Sequence, residues 1–349
     1  MNVILIAPVS AERVAQIAAV DVRLQVEDAW ELFAPELVAD WPAQTVEWYL
    51  PRLFREVSDS AEQRKRRDVL LSSAEVVCLT FPYPVRLRVR APQLRFVHQL
   101  PAGVSNLTRS DLWQSSVPVT SGRGAGNTLP IAEWVLAAVL AFCKELPRAS
   151  AQRSTGRLER AAFHGQQVAG KTMGVVGLGG IGRQVARLAR GLGMRVLGLR
   201  RSSEHVEDVE QLYPSAKLHA LLARSDVVVL ATQLTSETHH LLDGAALAAM
   251  KPGAILINVA RGELIDEGAL VQALRSGHLR GFAGDVYEGE FERQPRAELL
   301  GLENVILTPH TSSQTDHPST GSLEIFRENL KRCLAGQPLL QQVDWERGY

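Results

Sequence analysis

Three polar side chains each follow a short apolar run of the sequence: Arg261, Glu290 and His310. A guanidinium group binds a carboxylate through two parallel hydrogen bonds. An imidazole gives or takes a proton near neutral pH. A carboxylate beside the imidazole favours its charged form and fixes its tautomer. Together the three residues fit acid–base chemistry on a substrate that carries its own carboxylate.

Each of these residues also has an ordinary structural interpretation. A single histidine at a strand end is more often structural than catalytic, and an arginine there is often an ion-pair partner. Glu288 competes with Glu290 for the role of the carboxylate, because either side chain can face the same crevice. The chemical interpretation therefore depends on the three residues occurring together behind a glycine-rich turn.

That turn lies in the central stretch KTMGVVGLGGIG, where Gly177, Gly179 and Gly182 have the spacing G-x-G-x-x-G. A β-branched-rich strand pattern, 172–176, precedes the glycines, and an amphipathic helical pattern follows them. Gly177 permits a tight turn, Gly179 lets the backbone approach a diphosphate, and Gly182 lets the helix pack close to the strand. The helix N-terminus attracts the phosphates. The stretch predicts a dinucleotide site in preference to a merely glycine-rich turn.

Hydride transfer between this dinucleotide and a 2-keto acid would use all three side chains, Arg261, Glu290 and His310, with His310 as acid or base.

The residues after the second predicted strand indicate which dinucleotide to expect. An NAD site usually has an acidic residue about 20 positions beyond the glycines, where it binds the ribose 2′-hydroxyl. Arg200, Arg201 and Ser202 stand there instead. Guanidinium groups form forked contacts with phosphate, so the sequence predicts NADP(H). The alternative is that these arginines are solvated and that NAD(H) binds without a carboxylate.

The elements that must position these groups are strands alternating with helices, which predict two α/β domains with mostly parallel sheets. Four strand patterns fall in the first domain, at 3–7, 75–79, 94–98 and 117–120. Six fall in the second, at 172–176, 195–199, 226–231, 254–258, 281–285 and 304–308. Ligands bind beyond the carboxyl ends of such strands, so the turns 80–84 and 100–106 are candidate walls of a substrate pocket.

Glycines at 122–126 predict a boundary, and the helix pattern 129–144 after them is apolar nearly all round. Such a helix is buried on several sides, as a linker between domains or a dimer contact would be. A last helix at 322–334 is expected to return to the first domain. We therefore expect a substrate domain formed by residues 1–121 and 312–349, and a dinucleotide-binding domain at 122–311.

Composition narrows the class of protein. The chain of 349 residues has 38 basic and 38 acidic side chains, so its formal net charge gives no sign of a nucleic-acid or membrane partner. The basic run 64–67 is interpreted as a solvated helix face. Cys78, Cys143 and Cys333 lie far apart, which suits a reducing cytoplasm and neither a disulfide framework nor a metal site. No apolar run reaches the length of a membrane span.

Residues 101–309 resemble the D-isomer-specific 2-hydroxyacid dehydrogenases, and look most like the family's NADPH-dependent glyoxylate/hydroxypyruvate reductases. The motifs that carry the resemblance are GVSN at 103, the glycine turn, MKPGAILINVARG at 250, GDV at 284 and TPH at 308, and the C-terminal VDWERGY also looks like family members. Phe291, where the family usually has proline, departs from the pattern.

The resemblance implies a flavodoxin-like substrate domain, a central Rossmann nucleotide domain and a homodimer. It implies that Arg261, Glu290 and His310 are catalytic, with Glu290 rather than Glu288 at the family's offset. Backbone groups near Ala102 and Gly103 are expected to hold the substrate carboxylate. The remaining predicted cofactor contacts are Gly180, Ile181, Thr232, Val259, Ala260, Asp285 and Thr128.

Three functions remain open at this point. The sequence favours an NADP-dependent reductase of small 2-keto acids. An NAD-preferring dehydrogenase that works in the oxidative direction is the second. A dinucleotide-sensing binding protein, like the family's corepressor branch, is the third, because that branch can retain the same three side chains.

Overall fold

The computed structural model describes residues 1–50, 59–317 and 319–348. Over these residues the chain forms two compact units. Unit 1 comprises Met1–Gly126 and Ser319–Tyr349, and unit 2 comprises Asn127–Pro318. The predicted boundaries lie a few residues earlier in the chain. Tyr349, the last residue of the C-terminal family motif, lies outside the described residues.

The strands are β1 (Asn2–Ile6), β2 (Gln25–Asp28), β3 (Val76–Leu79), β4 (Phe96–Gln99), β5 (Val119–Ser121), β6 (Thr172–Val176), β7 (Arg195–Leu199), β8 (Gln211–Tyr213), β9 (Val227–Leu230), β10 (Ala254–Asn258), β11 (Leu279–Gly284) and β12 (Val305–Leu307). The helices are α1 (Ala11–Ala18), α2 (Trp30–Asp40), α3 (Ala43–Tyr49), α4 (Ala61–Ser73), α5 (Leu87–Arg90), α6 (Thr128–Cys143), α7 (Leu146–Ser154), α8 (Gly180–Gly191), α9 (Leu218–Leu222), α10 (Gly244–Ala248), α11 (Glu267–Arg275), α12 (Ala297–Leu300) and α13 (Gly321–Leu334).

Unit 1 is built on a parallel sheet in the order β2-β1-β3-β4-β5. This is the flavodoxin-like order, so the predicted fold of the first domain is confirmed. The C-terminal helix α13 packs on this sheet, because Phe326 and Leu330 share a core with Leu5, Cys78 and Phe96. The chain's two ends therefore build one domain.

Unit 2 is built on a parallel sheet in the order β12-β11-β10-β9-β6-β7-β8. Alternate residues of β9 enter different cores: Val228 and Leu230 pack with α9, α10 and α11, whereas Val227 and Val229 pack with α6 and α8. Helices thus cover both faces of the sheet, which is why its strands are continuous apolar runs. The predicted doubly wound Rossmann fold is confirmed.

Two strands are absent from the sequence prediction. Both β2 and β8 lie at sheet edges and are short. Their residues are largely exposed or half-buried, so they carry little of the apolar signal that marks the central strands. The predicted six-stranded sheet of the second domain therefore has seven strands.

The N-terminal aromatic residues pack inside unit 1. Trp30, Phe33 and Trp41 are buried, and the Trp41 ring lies edge-on to Phe81 and Tyr83 at centroid distances of 4.8 and 5.1 Å. Among the described residues, no helix has the length and apolarity to cross a membrane. The same residues contain no group of three metal-ligating side chains.

Candidate active site

The parallel register places three loops side by side at the carboxyl ends of the strands in the unit 2 sheet. This end of the sheet is called the carboxyl edge below. The final residues of β10, β11 and β12 are hydrogen-bonded neighbours in one row: Asn258, Gly284 and Leu307. Arg261 and His310 each lie three positions beyond this row, and Glu290 lies on the loop between them. Neighbouring strands are about 4.8 Å apart. The three predicted catalytic residues therefore lie on adjacent loops at the carboxyl edge of the sheet.

His310 and Glu290 are in direct contact. Nδ1 of the imidazole lies 3.0 Å from Oε1 of the carboxylate. Glu290 is 2 % exposed, whereas a quarter of the His310 side chain remains accessible. Glu288, the competing carboxylate, is half-buried, and its backbone N–H donates to Glu267. The carboxylate beside the imidazole is therefore that of Glu290, the buried member of the two.

Asp285 holds the loop that carries His310. Its carboxylate accepts the backbone N–H groups of Thr311 at 2.8 Å and Ser312 at 2.9 Å, together with the hydroxyl of Thr308 at 2.5 Å. The carbonyl oxygen of Asp285 accepts the N–H of His310 at 2.9 Å. Asp285 is 1 % exposed. The sequence predicts that Asp285 lies beside the nicotinamide. The structure shows in addition that Asp285 fixes the backbone of His310 and of the two residues after it.

Asn258 has a matching role for Arg261. Its side chain donates to the carbonyl oxygen of Arg261 at 2.8 Å and accepts the N–H of Ala260 at 3.0 Å. The Arg261 guanidinium itself donates to the carbonyl oxygen of Ala260 at 2.6 Å. Asn258 is fully buried. Sequence reasoning did not single out this residue, although a polar residue at the end of an apolar strand was a usable signal.

The glycine turn has the shape that a diphosphate requires. Gly177 has a φ of 94°, which favours glycine. A Cβ added to Gly182 would lie 2.0 Å from the carbonyl oxygen of Gly177, whereas one added to Gly179 would meet nothing within 4 Å. Space therefore remains beside Gly179, at the N-terminus of α8. The first-turn N–H groups there, those of Gly180 and Ile181, have no acceptor within the helix. These residues fit a dinucleotide phosphate.

Three of the other predicted cofactor residues of unit 2, Thr232, Val259 and Ala260, directly follow strands of the same sheet. Thr232 follows β9, and its Cα would lie 2.8 Å from a Cβ added to Gly177. Strand order reverses between β6 and β9, which is where doubly wound sheets bind nucleotides. Val259 and Ala260 follow β10 and are buried. Thr128 is the first residue of α6.

Arg200 and Arg201 follow β7, and both approach carboxylates. Arg200 lies 3.5 Å from Glu204, and Arg201 lies 2.7 Å from Glu237. The Ser202 hydroxyl accepts the backbone N–H of Glu204 at 3.2 Å. Two guanidinium groups thus follow β7, and each has an acidic side chain beside it.

Ala102 and Gly103 belong to unit 1, on the loop that follows β4. The side chain of Gln99, itself buried, donates to the carbonyl oxygen of Gly103 at 3.0 Å. The Ser322 hydroxyl donates to the carbonyl oxygen of Leu100 at 2.9 Å. Both contacts fix the backbone of the predicted carboxylate-binding loop.

Comparison with known proteins identifies the family. The family model described as "D-isomer specific 2-hydroxyacid dehydrogenase, NAD binding domain" matches residues 136–312, about half of the chain. The chain belongs to the D-isomer-specific 2-hydroxyacid dehydrogenases. The resemblance predicted from sequence is confirmed, and the protein is an oxidoreductase of this dehydrogenase family.

Named relatives of this dehydrogenase differ in substrate. It is 36 % identical to the (S)-sulfolactate dehydrogenase of Chromohalobacter salexigens over 252 residues, which cover 71 % of this chain and 80 % of the relative. It is 35 % identical to the glyoxylate reductase of Thermococcus gammatolerans over 285 residues, with 79 % and 83 % covered. A solved structure of a D-isomer specific 2-hydroxyacid dehydrogenase from Xanthobacter autotrophicus Py2, in complex with NADPH and MES, aligns with a TM-score of 0.75 and 29 % identity over 100 % of this chain and 99 % of that one.

Proposed function

We propose that the protein is an NADPH-dependent reductase of small 2-keto acids, of the glyoxylate or hydroxypyruvate kind. The observation that carries this proposal is the contact between His310 and Glu290 at 3.0 Å, on the sheet edge that also carries Arg261. A bound nicotinamide supplies or accepts the hydride in this family's reaction.

The side chains divide the remaining work. Arg261 binds the substrate carboxylate through its guanidinium fork. His310 keeps Nδ1 against Glu290, so Nε2 is the atom that gives its proton to the forming alkoxide. Glu290 holds Nδ1 of the imidazole and so fixes its tautomer. In the oxidative direction His310 Nε2 takes the proton back.

Support for NADP(H) over NAD(H) comes from the residues after β7. Arg200 and Arg201 offer two cations to an adenosine 2′-phosphate, and Ser202 offers a hydroxyl. The Xanthobacter relative is named as a complex with NADPH. The NAD-preferring alternative has its own support, because Glu204 and Glu237 already pair with these arginines.

The activity test uses the purified protein with NADPH and a panel that contains glyoxylate, hydroxypyruvate, 3-sulfopyruvate and larger 2-keto acids. We expect NADPH oxidation with at least one small member. No oxidation with any member, in a preparation that binds NADPH, would contradict the reductase and leave the dinucleotide-sensing protein as the better account.

The cofactor test changes both arginines. We expect R200A/R201A to raise the KM for NADPH about tenfold or more and to change the KM for NADH by less than about twofold, because only NADPH carries the 2′-phosphate. R187A, which alters an exposed arginine of α8, is the matched control. Equal effects on both cofactors would remove the argument for NADP.

A further inference from the structure

The loop that carries Glu290 begins with a tight turn. The backbone N–H of Glu290 donates to the carbonyl oxygen of Tyr287 at 3.2 Å, and this bond closes a turn of four residues, 287–290. Gly289, the third residue, has a φ of 74°, as a turn of this kind requires. The N–H of Glu288, the second residue, takes no part in the turn's own bond. It therefore needs an acceptor from elsewhere.

The segment after β10 packs against this turn through the backbone. A Cβ added to Gly262 would lie 1.9 Å from the carbonyl carbon of Tyr287 and 2.1 Å from the nitrogen of Glu288. No side chain separates the two segments at this point. The loop that begins at Arg261 and the loop that leads to Glu290 are thus in direct backbone contact.

Glu267 supplies the acceptor that the turn needs. It is the first residue of α11 and is 3 % exposed. Its Oε1 accepts the N–H of Glu288 at 2.9 Å, and its Oε2 lies 3.0 Å from Nε of Arg296. Burial raises the pKa of the Glu267 carboxyl, and the nearby Glu288 carboxylate acts in the same direction, whereas the bond from the Glu288 N–H and the charges of Arg293 and Arg296 oppose the rise. A side chain that contributed only packing would not need a carboxylate in so buried a place.

We propose that Glu267 is a positioning residue for the proton-transfer pair: it fixes the 287–290 turn so that Glu290 stands against His310. Glu267 acts through the backbone of Glu288, two residues before Glu290, rather than on the reacting atoms. The inference rests on the proposed function, which assigns proton transfer to His310 and Glu290.

Two substitutions at position 267 separate the hydrogen bond from the charge. E267D keeps a carboxylate, which suits the first turn of a helix, but it is one methylene too short for the Glu288 N–H. E267Q keeps the length and an oxygen that accepts the same bond, but it gives up the charge. If Glu267 served only charge balance or folding, the Asp variant would be the milder change.

Steady-state kinetics of keto-acid reduction test the proposal. We expect E267D to lower kcat about tenfold or more, because small displacements of catalytic groups are costly. The KM for NADPH should stay within about twofold, since the glycine turn lies on other elements. E267Q should stay within about threefold of the parent in kcat. Q272A, at an exposed position of α11, is the matched control.

Three results would overturn the proposal: an E267D enzyme within about threefold of the parent in kcat, an E267Q enzyme that falls as far as E267D, or a rise in the KM for NADPH as large as the fall in kcat. E290Q, measured in parallel, keeps the two proposals distinguishable. Unchanged turnover in E290Q would contradict the proposed function itself. A loss in E290Q without a loss in E267D would contradict only the role of Glu267.

Discussion

At the scale of single residues, the site depends on polar groups that hold backbone in place. His310 has a φ of 54°, in the left-handed region that non-glycine residues rarely adopt. Such a conformation costs about 1–3 kcal/mol and persists only where neighbouring contacts fix it. Asp285 provides these contacts on both sides of His310. The position of the imidazole is therefore a property of Asp285 as much as of His310.

The pairing of Glu290 with His310 predicts a strong effect of E290Q. The amide keeps the shape of the carboxylate but removes the anion that lies against the imidazole. We expect kcat for reduction to fall about a hundredfold. Steady-state kinetics with saturating NADPH and keto acid measure this fall in kcat.

E288Q is the control for this prediction, because Glu288 lies two positions away and is half-buried. Its backbone N–H still reaches Glu267 after the substitution. We expect its kcat to match that of the parent. If the two variants behaved alike, the contact between Glu290 and His310 would have no special part in the reaction.

At the scale of elements, apolar strands were predictable and polar edges were not. The bounds of β6, β7 and β10 agree with the sequence prediction because their residues are buried on both faces. The edge strands β2 and β8 were missed because pairing with one neighbour, rather than burial, defines them. Likewise, chemistry-bearing residues at strand ends were recognised, whereas Asn258 and Glu267 were not. Asn258 binds backbone groups two and three positions along the chain, and Glu267 binds one 21 positions away. Neither contact leaves a mark in the apolar pattern of the sequence.

The glycine turn predicts opposite outcomes for two similar substitutions. G182A places a methyl group 2.0 Å from the carbonyl oxygen of Gly177, so α8 must move away from β6. G179A meets no atom within 4 Å, so the protein without cofactor should keep its stability. The methyl group of G179A would instead occupy the space that a diphosphate needs.

We therefore expect G182A to lower the free energy of unfolding by more than about 2 kcal/mol, and G179A to change it by less than about 1 kcal/mol. We expect G179A to weaken NADPH binding about tenfold or more. Urea unfolding and a fluorescence titration with NADPH measure the two effects. Normal NADPH affinity in G179A would show that the diphosphate does not approach this glycine.

At the scale of the whole molecule, a buried histidine ties the two ends of the chain into unit 1. Nδ1 of His98 lies 2.8 Å from the Thr120 hydroxyl, and Nε2 lies 3.2 Å from the Ser322 hydroxyl on α13. The imidazole is fully buried and stacks on the ring of Phe326. Burial lowers the pKa of His98 from 6.5 to about 3, although the bond to Ser322 opposes the shift. His98 is therefore neutral in folded unit 1 at neutral pH.

This histidine predicts acid sensitivity of the fold. Between pH 6.5 and about 3, His98 is protonated in the unfolded chain but neutral in the folded chain. The free energy of unfolding therefore falls as pH falls through this window, by up to about 5 kcal/mol in total. In H98Q that contribution disappears, so its stability should decline less steeply with acid than that of the parent. Urea unfolding between about pH 7 and about pH 5 measures the two slopes, and parallel slopes would exclude His98 as the cause.

The apolar helix α6 predicts that the protein is a homodimer. Three apolar residues and one acidic residue, Leu129, Glu133, Ala137 and Leu140, lie on one exposed stripe of this helix. Leu140 is 37 % exposed. Exposed leucines on an otherwise buried helix are typical of a surface that another chain covers.

A charge placed there is desolvated on association, so L140E should turn the dimer into a monomer. L192E is a close control, because Leu192 lies in the same unit and is also 37 % exposed, but follows α8. Light scattering after size-exclusion chromatography reads the molar mass directly. A monomeric parent, or a dimer that survives L140E, would contradict this use of α6.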